Sequence, residues 1–116
     1  MDVTIYHNPR CSKSRQTLQL LESQDIQPII IEYLKQPPTH QQLDSILRGL
    51  DMQPRDLMRR GEDAYAELQL DDDTLSRDQL IEAMIAQPKL IQRPIVVAGD
   101  GIVIGRPPEA VLEILP

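Results

Sequence analysis

The sequence holds no tryptophan and no phenylalanine, and aromatic residues make up only 3% of it, all of them tyrosine. Its core must therefore be built mainly from Leu, Ile, Val and Met. A single cysteine, Cys11, excludes any disulfide within the chain. No apolar run approaches the roughly 20 residues that a bilayer-spanning helix needs. The start, MDVTIYHNPR, has no basic segment followed by an apolar one, so it does not read as a secretory signal and the expected compartment is the cytoplasm. Positive charge is scarce too. Lys and Arg number 12 against 18 Asp and Glu, for a net charge of −6. That balance argues against nucleic acid and against an anionic membrane as partners, because both are bound largely through neutralised phosphates. An anionic ligand would have to be held by a local group of cations working against the overall field.

The chain is 116 residues long, the size of one domain. A domain of this length buries roughly two-thirds of the surface of its unfolded chain, so it needs no metal or disulfide to fold. We expect a single domain over 1–116. The ten prolines sit at joints between patterned segments rather than in one tract.

Val3 to Tyr6 has the β-branched and aromatic content of a strand. His7-Asn8-Pro9-Arg10 reads as a loop, and Ser12 to Glu22 as a helix with Leu18 and Leu21 on its apolar side. Pro28 to Tyr33 carries three consecutive isoleucines, is too short for a helix, and reads as a buried strand. A β-α-β unit of this kind makes its two strands parallel. A helical stretch follows. Thr39 with Gln42, and Ser76 with Gln79, have the spacing of capping boxes. They lead into the stripes Leu43, Ile46, Leu47, Leu50 and Leu80, Ile81, Met84, Ile85. Between them Pro54 fits the first turn of a short helix with Leu57 and Met58, residues 64–70 could add a turn or two, and Asp71-Asp72-Asp73 reads as a solvated loop. Pro94 to Ala98 and Ile102 to Ile104 read as strands joined by the hairpin signal Gly99-Asp100-Gly101. Ala110 to Leu115 is expected to form a last helix with Val111, Leu112 and Leu115 facing inward. The order β-α-β, helical insertion, β-β-α is that of an α/β protein with a thioredoxin-like mixed sheet.

Cys11 is the first candidate for chemistry. It falls where a strand-to-helix loop meets the first turn of a helix, and free N–H groups and the helix dipole there favour an anion. Arg10, Lys13 and Arg15 add positive potential. A thiol in such surroundings has its thiolate stabilised, and the thiolate is the nucleophile. A lone cysteine is often a buried, inert thiol, but the neighbours here are polar and cationic. The loop C-S-K-S-R has backbone donors and the hydroxyls of Ser12 and Ser14 for an oxyanion. No second thiol exists to resolve an oxidised Cys11, so redox turnover would need an outside thiol.

Arg59, Arg93 and Arg106 each stand at a structural break, where binding groups are commonly displayed. Their planar forks suit oxyanions. By sequence alone they do not separate from Arg48, Arg55 or Arg77. His7 lies near enough along the chain to assist the thiol or to end the strand. Cys11, His7 and His40 lack the spacing of a zinc motif, so no metal site is expected.

The segment TIYHNPRCSKSRQTL, together with EYLKQPP, LMRR, LIQRPIVV and GRPPEAVLEIL, resembles the arsenate reductase family of the glutaredoxin-linked ArsC type. The resemblance runs from Val3 to Leu115. It implies a thioredoxin-like fold with Cys11 as the nucleophile that attacks arsenic(V). It implies that Arg93 and Arg106 hold the oxyanion and that Arg59 stabilises arsenic bound to the thiol; with them, Arg15 and Arg59 are expected among the oxyanion-binding residues. His7 and Ser14 would support the thiolate, and Pro94 would be the cis-proline beside it. No bound cofactor is implied. Glutathione would be the external reductant and glutaredoxin the protein partner. Where these reductases typically have Gly-Thr after the nucleophile, this chain has Ser12-Lys13, a substitution that matters if the loop needs a positive φ. Two other readings share the fold: a regulatory or adaptor protein that binds a partner such as RNA polymerase, and a thiol transferase acting on glutathione adducts.

Overall fold

The computed structural model describes residues 2–115, which fall into two compact units. One holds residues 2–36 and 93–115, and the other holds Pro37–Gln92.

The first unit is built on β1 (Val3–His7), α1 (Ser12–Ser23), β2 (Ile29–Glu32), β3 (Ile95–Ala98) and β4 (Gly101–Ile104). The strands form one sheet in the order β2-β1-β3-β4. β1 runs parallel to β2, antiparallel to β3, and β3 is antiparallel to β4. The sheet is therefore mixed, as the segment order requires. The hairpin between β3 and β4 closes on Gly99-Asp100, and Gly99 has φ 60°, the left-handed value that glycine supplies at the first position of a two-residue turn. Val3, Ile5, Leu21, Val96, Ala98 and Val111 form the core, with Leu18, Leu20, Ile26, Val103, Ile114 and Leu115 packed on it.

Three local expectations are corrected. β2, one of the two edge strands, is not buried: Ile29 and Ile30 are 55% and 50% exposed, and Ile31 and Glu32 are half-buried. The last helix is a 3-10 segment, Pro108–Glu113. Its three-residue period turns Pro108 and Val111 inward and leaves Leu112 in solvent. The buried side of α1 is Ser14, Thr17 and Leu21, so two of its three inward positions are polar.

The second unit contains α2 (His40–Leu50), α3 (Asp63–Glu67) and α4 (Arg77–Ala86), with 3-10 turns at Pro54–Leu57 and Pro88–Leu90. Both capping boxes form. Gln42 N–H donates to Thr39 Oγ1 at 3.1 Å and Gln79 N–H to Ser76 Oγ at 3.2 Å. The expected stripes of α2 and α4 supply buried Leu43, Ile46, Leu47, Leu80, Ile81 and Met84. Asp71-Asp72-Asp73 is an exposed turn. No helix among the described residues is long and apolar enough to cross a membrane.

Candidate active site around Cys11

Cys11 is the N-cap of α1, with extended backbone angles of φ −92° and ψ 124°. The loop that delivers it is locked by short-range bonds. Cys11 N–H donates to Asn8 O at 3.0 Å, Arg10 N–H donates to Asn8 Oδ1 at 3.0 Å, and Arg15 Nη1 donates to Pro9 O at 3.0 Å. Arg15 thus braces the loop through an exposed contact. Ser12 begins α1 and has no positive φ, so the loop has no need of glycine at that position.

Partial burial works to raise the pKa of the Cys11 thiol, but it is outweighed. The backbone N–H of Ser14, the charge and side-chain donors of Arg93, and the backbone N–H of Lys13 together hold it below the ordinary thiol value. The sulfur closes no formal capping hydrogen bond. The N–H groups of the first turn act on it as the positive end of the helix.

Arg93 and Arg106 reach the thiol by way of the hairpin. Ile95 pairs with Ile104, and the same register carried two pairs further sets Arg93 opposite Arg106. Tyr6 pairs with Ile95, so the end of β1, and the loop that follows it, lie at that same open end. Arg106 Nε donates to Arg93 O at 2.7 Å, and Arg106 Nη2 lies 3.7 Å from Cys11 Sγ. Arg93 Nε is buried and has no hydrogen-bond partner among the described residues. The Arg93–Pro94 and Arg106–Pro107 peptide bonds are both cis.

Behind the thiol, His7 and Ser14 are buried. His7 Nδ1 and Ser14 Oγ are 2.6 Å apart, and Asn8 N–H donates to the same oxygen at 3.0 Å. Burial lowers the His7 pKa, the Glu32 carboxylate opposes this, and Arg15 adds to it. Folding thus favours the neutral form of His7. Glu32 faces it across the β1–β2 pair.

Arg59 belongs to the second unit. Its Nη1 pairs with Glu62 Oε1 at 2.6 Å, and its backbone N–H donates to Leu90 O. The three arginines that sequence could not set apart are engaged elsewhere in that unit. Arg48 and Arg77 both bind Asp44, and Arg55 donates to Leu70 O and Asp72 O.

Sequence reasoning missed Asn8, Thr17 and Gly105. Asn8 ties the loop to Ser14. Thr17 donates from Oγ1 to Lys13 O at 2.8 Å and to Gly105 O at 3.4 Å. Gly105 has no space for a Cβ, which would meet Thr17 Oγ1 at 2.6 Å and Pro94 Cγ at 2.9 Å. Thr17 lies three residues beyond Ser14 on α1, and that helical spacing was the available signal for a continuous buried polar side.

A mixed four-stranded sheet with a lone, cation-flanked cysteine capping its first helix defines a thioredoxin-like thiol protein. The chain belongs to the ArsC family, whose family model matches residues 6–114. A protein of Escherichia coli K12 designated uncharacterized protein YfgD is 53% identical over 114 residues, covering 97% of this chain and 96% of its own. An arsenate reductase of Haemophilus influenzae is 50% identical over 116 residues, covering 99% of this chain and 100% of that protein. The solved structure of an arsenate reductase from Vibrio cholerae matches with a TM-score of 0.95 at 52% identity, covering 99% of this chain and 98% of that one.

Proposed function

We propose that the protein reduces arsenate, with Cys11 as the nucleophile and an external thiol as reductant. The observation that supports this best is the pair of guanidinium groups at the sulfur: Arg106 Nη2 at 3.7 Å, and Arg93 close enough to lower the thiol pKa. A thiolate and an incoming oxyanion repel one another, and fixed cations offset that repulsion while stabilising the charge that develops on oxygen.

In the first step Cys11 Sγ forms a bond to arsenic(V). One arsenate oxygen takes up two protons and leaves as water. Arg93, whose Nε has no other partner among the described residues, and Arg106 hold the remaining oxygens. In the second step the sulfur of glutathione bonds to Cys11 Sγ and the S–As bond breaks. Its electron pair stays on arsenic, which leaves as arsenite carrying the thiol proton. Two thiol sulfurs are thus oxidised to one disulfide while arsenic gains two electrons. Glutaredoxin then frees Cys11 by thiol–disulfide exchange. The only cysteine of the chain has no internal thiol to do this. His7 and Ser14 support the thiolate from behind, through the Ser14 N–H. The part that the resemblance gives Arg59 stays with this proposal, and arsenate turnover of Arg59→Ala tests it. A cytoplasmic setting, where glutathione is abundant, fits this cycle.

The experiment is purified protein with arsenate, glutathione, glutaredoxin and glutathione reductase, followed by NADPH oxidation. Turnover that is lost in Cys11→Ser supports the reading. No turnover above that control overturns it. Disulfide turnover without arsenate would instead mark a thiol transferase.

A further inference from the structure

We propose that Gly105, with Thr17 packed against it, is a positioning element that fixes Arg106 over the Cys11 sulfur. Arg106 is an exposed residue just after β4 whose own N–H donates to Ile104 O at 2.8 Å, and its side chain reaches a thiol on another element. The residue before it is held on both sides. Gly105 N–H donates to Pro94 O at 2.9 Å, and Gly105 O accepts from Thr17 Oγ1 at 3.4 Å. The single hydroxyl proton of Thr17 is shared with Lys13 O at 2.8 Å, in the same first turns of α1 that carry Cys11. The backbone of Gly105 therefore lies against the start of β3 on one side and the side of α1 on the other. It lies so close that an added Cβ would stand 2.6 Å from Thr17 Oγ1.

Arg106 leaves the chain from that fixed point. Its side chain is then set by two contacts, Nε to Arg93 O at 2.7 Å and Nη2 to Cys11 Sγ at 3.7 Å. The distance from sulfur to guanidinium is thus defined by how closely the residue 105 backbone seats on Thr17. Thr17 is fully buried and its hydroxyl is engaged by Lys13 O and Gly105 O, so its part is to position and not to react. Gly105 is required for close approach here rather than for a turn, since its φ is not positive.

The proposal rests on the thiolate reading above, and its test uses alkylation of Cys11 without arsenate so that the two fail separately. The rate of iodoacetamide reaction is followed against pH in Gly105→Ala, Thr17→Val, Thr17→Ser and Arg106→Ala, with thermal unfolding of each as a check on folding. Gly105→Ala and Thr17→Val are expected to move the midpoint upward, lowering the rate below it by about threefold or more, since one pKa unit is tenfold in thiolate. Thr17→Ser keeps the hydroxyl and is expected to restore the profile. Adding Gly105→Ala to Arg106→Ala is expected to change the midpoint no further, because both remove the same contact. A folded Thr17→Val protein with the unaltered profile overturns the proposal, whether or not Gly105→Ala folds. So does a Gly105→Ala shift that adds fully to that of Arg106→Ala. A wild-type profile in the ordinary thiol range overturns this proposal and the thiolate reading together. Absence of arsenate turnover with the variant shifts intact overturns only the reductase reading.

Discussion

His7 Nδ1 and Ser14 Oγ stand 2.6 Å apart, both buried, and the same serine oxygen accepts the Asn8 N–H. This small triangle fixes the first turn of α1 against the end of β1, and with it the Ser14 N–H that acts on the Cys11 sulfur. Ser14→Ala should leave a ring nitrogen and a backbone N–H without their partner. That costs about 1–3 kcal/mol of stability and moves the Cys11 alkylation midpoint upward. Urea unfolding and the pH profile of iodoacetamide reaction measure the two effects. A variant as stable as the parent, with the same profile, would show the triangle to be incidental.

Arg93 is expected to matter twice. It lowers the pKa of the thiol, and its buried Nε is a donor with no partner among the described residues. Arg93→Ala should raise the alkylation midpoint and weaken arsenate protection of Cys11 by about tenfold or more, taking a hydrogen bond to a charged group as worth about 1.5–3 kcal/mol. The protection constant, measured as arsenate concentration against alkylation rate, is the readout. An unchanged constant would remove Arg93 from the oxyanion site.

The thiol itself should leave a mark on stability. A group whose pKa is depressed by folding contributes stability that is present above its unfolded value and is lost as pH falls through its folded value. The gap in unfolding free energy between the parent and Cys11→Ser should therefore widen as pH rises toward about 8.5, the ordinary thiol value, and level off above it. A gap that stays constant with pH would mean that the folded and unfolded thiols titrate alike.

What could be read from the sequence was local, and what could not depended on which segments meet. The capping boxes at Thr39 and Ser76 and the glycine turn at Gly99 each need only a few neighbouring residues, and all three form. The exposure of Ile29 and Ile30 depends on what covers the faces of β2, since β4 is an edge strand too and is half-buried throughout, and such cover is a property of the whole fold. Ser14 and Thr17 look like solvent-facing residues by type, yet they are fully buried because each finds a partner outside the ordinary helical ladder. The convergence of Arg93 and Arg106 was legible in principle. Given the hairpin at Gly99-Asp100, pairing from Ala98 and Gly101 outward brings the two arginines opposite one another. Arg59 stands beside an isolated antiparallel bridge, Met58 with Ile91, which no turn signal between those residues announces, and its side-chain partner there is Glu62.

The two histidines should respond to pH with opposite sign. Burial lowers the His7 pKa, so folding favours its neutral form. Its contribution is present above the unfolded value of about 6.5 and is lost as pH falls toward the folded value. His40 is partly exposed and its pKa is raised, first by its hydrogen bond to Glu82 at 2.7 Å and also by Asp78, whose Oδ1 lies 3.2 Å from Nε2. Its contribution is fully present below the unfolded value and disappears as pH rises through the folded one. Relative to the parent, His7→Gln should therefore lose less Tm on acidification from neutral pH, while His40→Gln should close its Tm deficit as pH is raised past the same region. Thermal unfolding of the three proteins across pH 5 to about 8 separates these slopes. Parallel Tm curves for the parent and His40→Gln would show that the carboxylates of α4 do not hold the α2 histidine in solution, and parallel curves for His7→Gln would show the same of the burial that keeps His7 neutral behind the thiol.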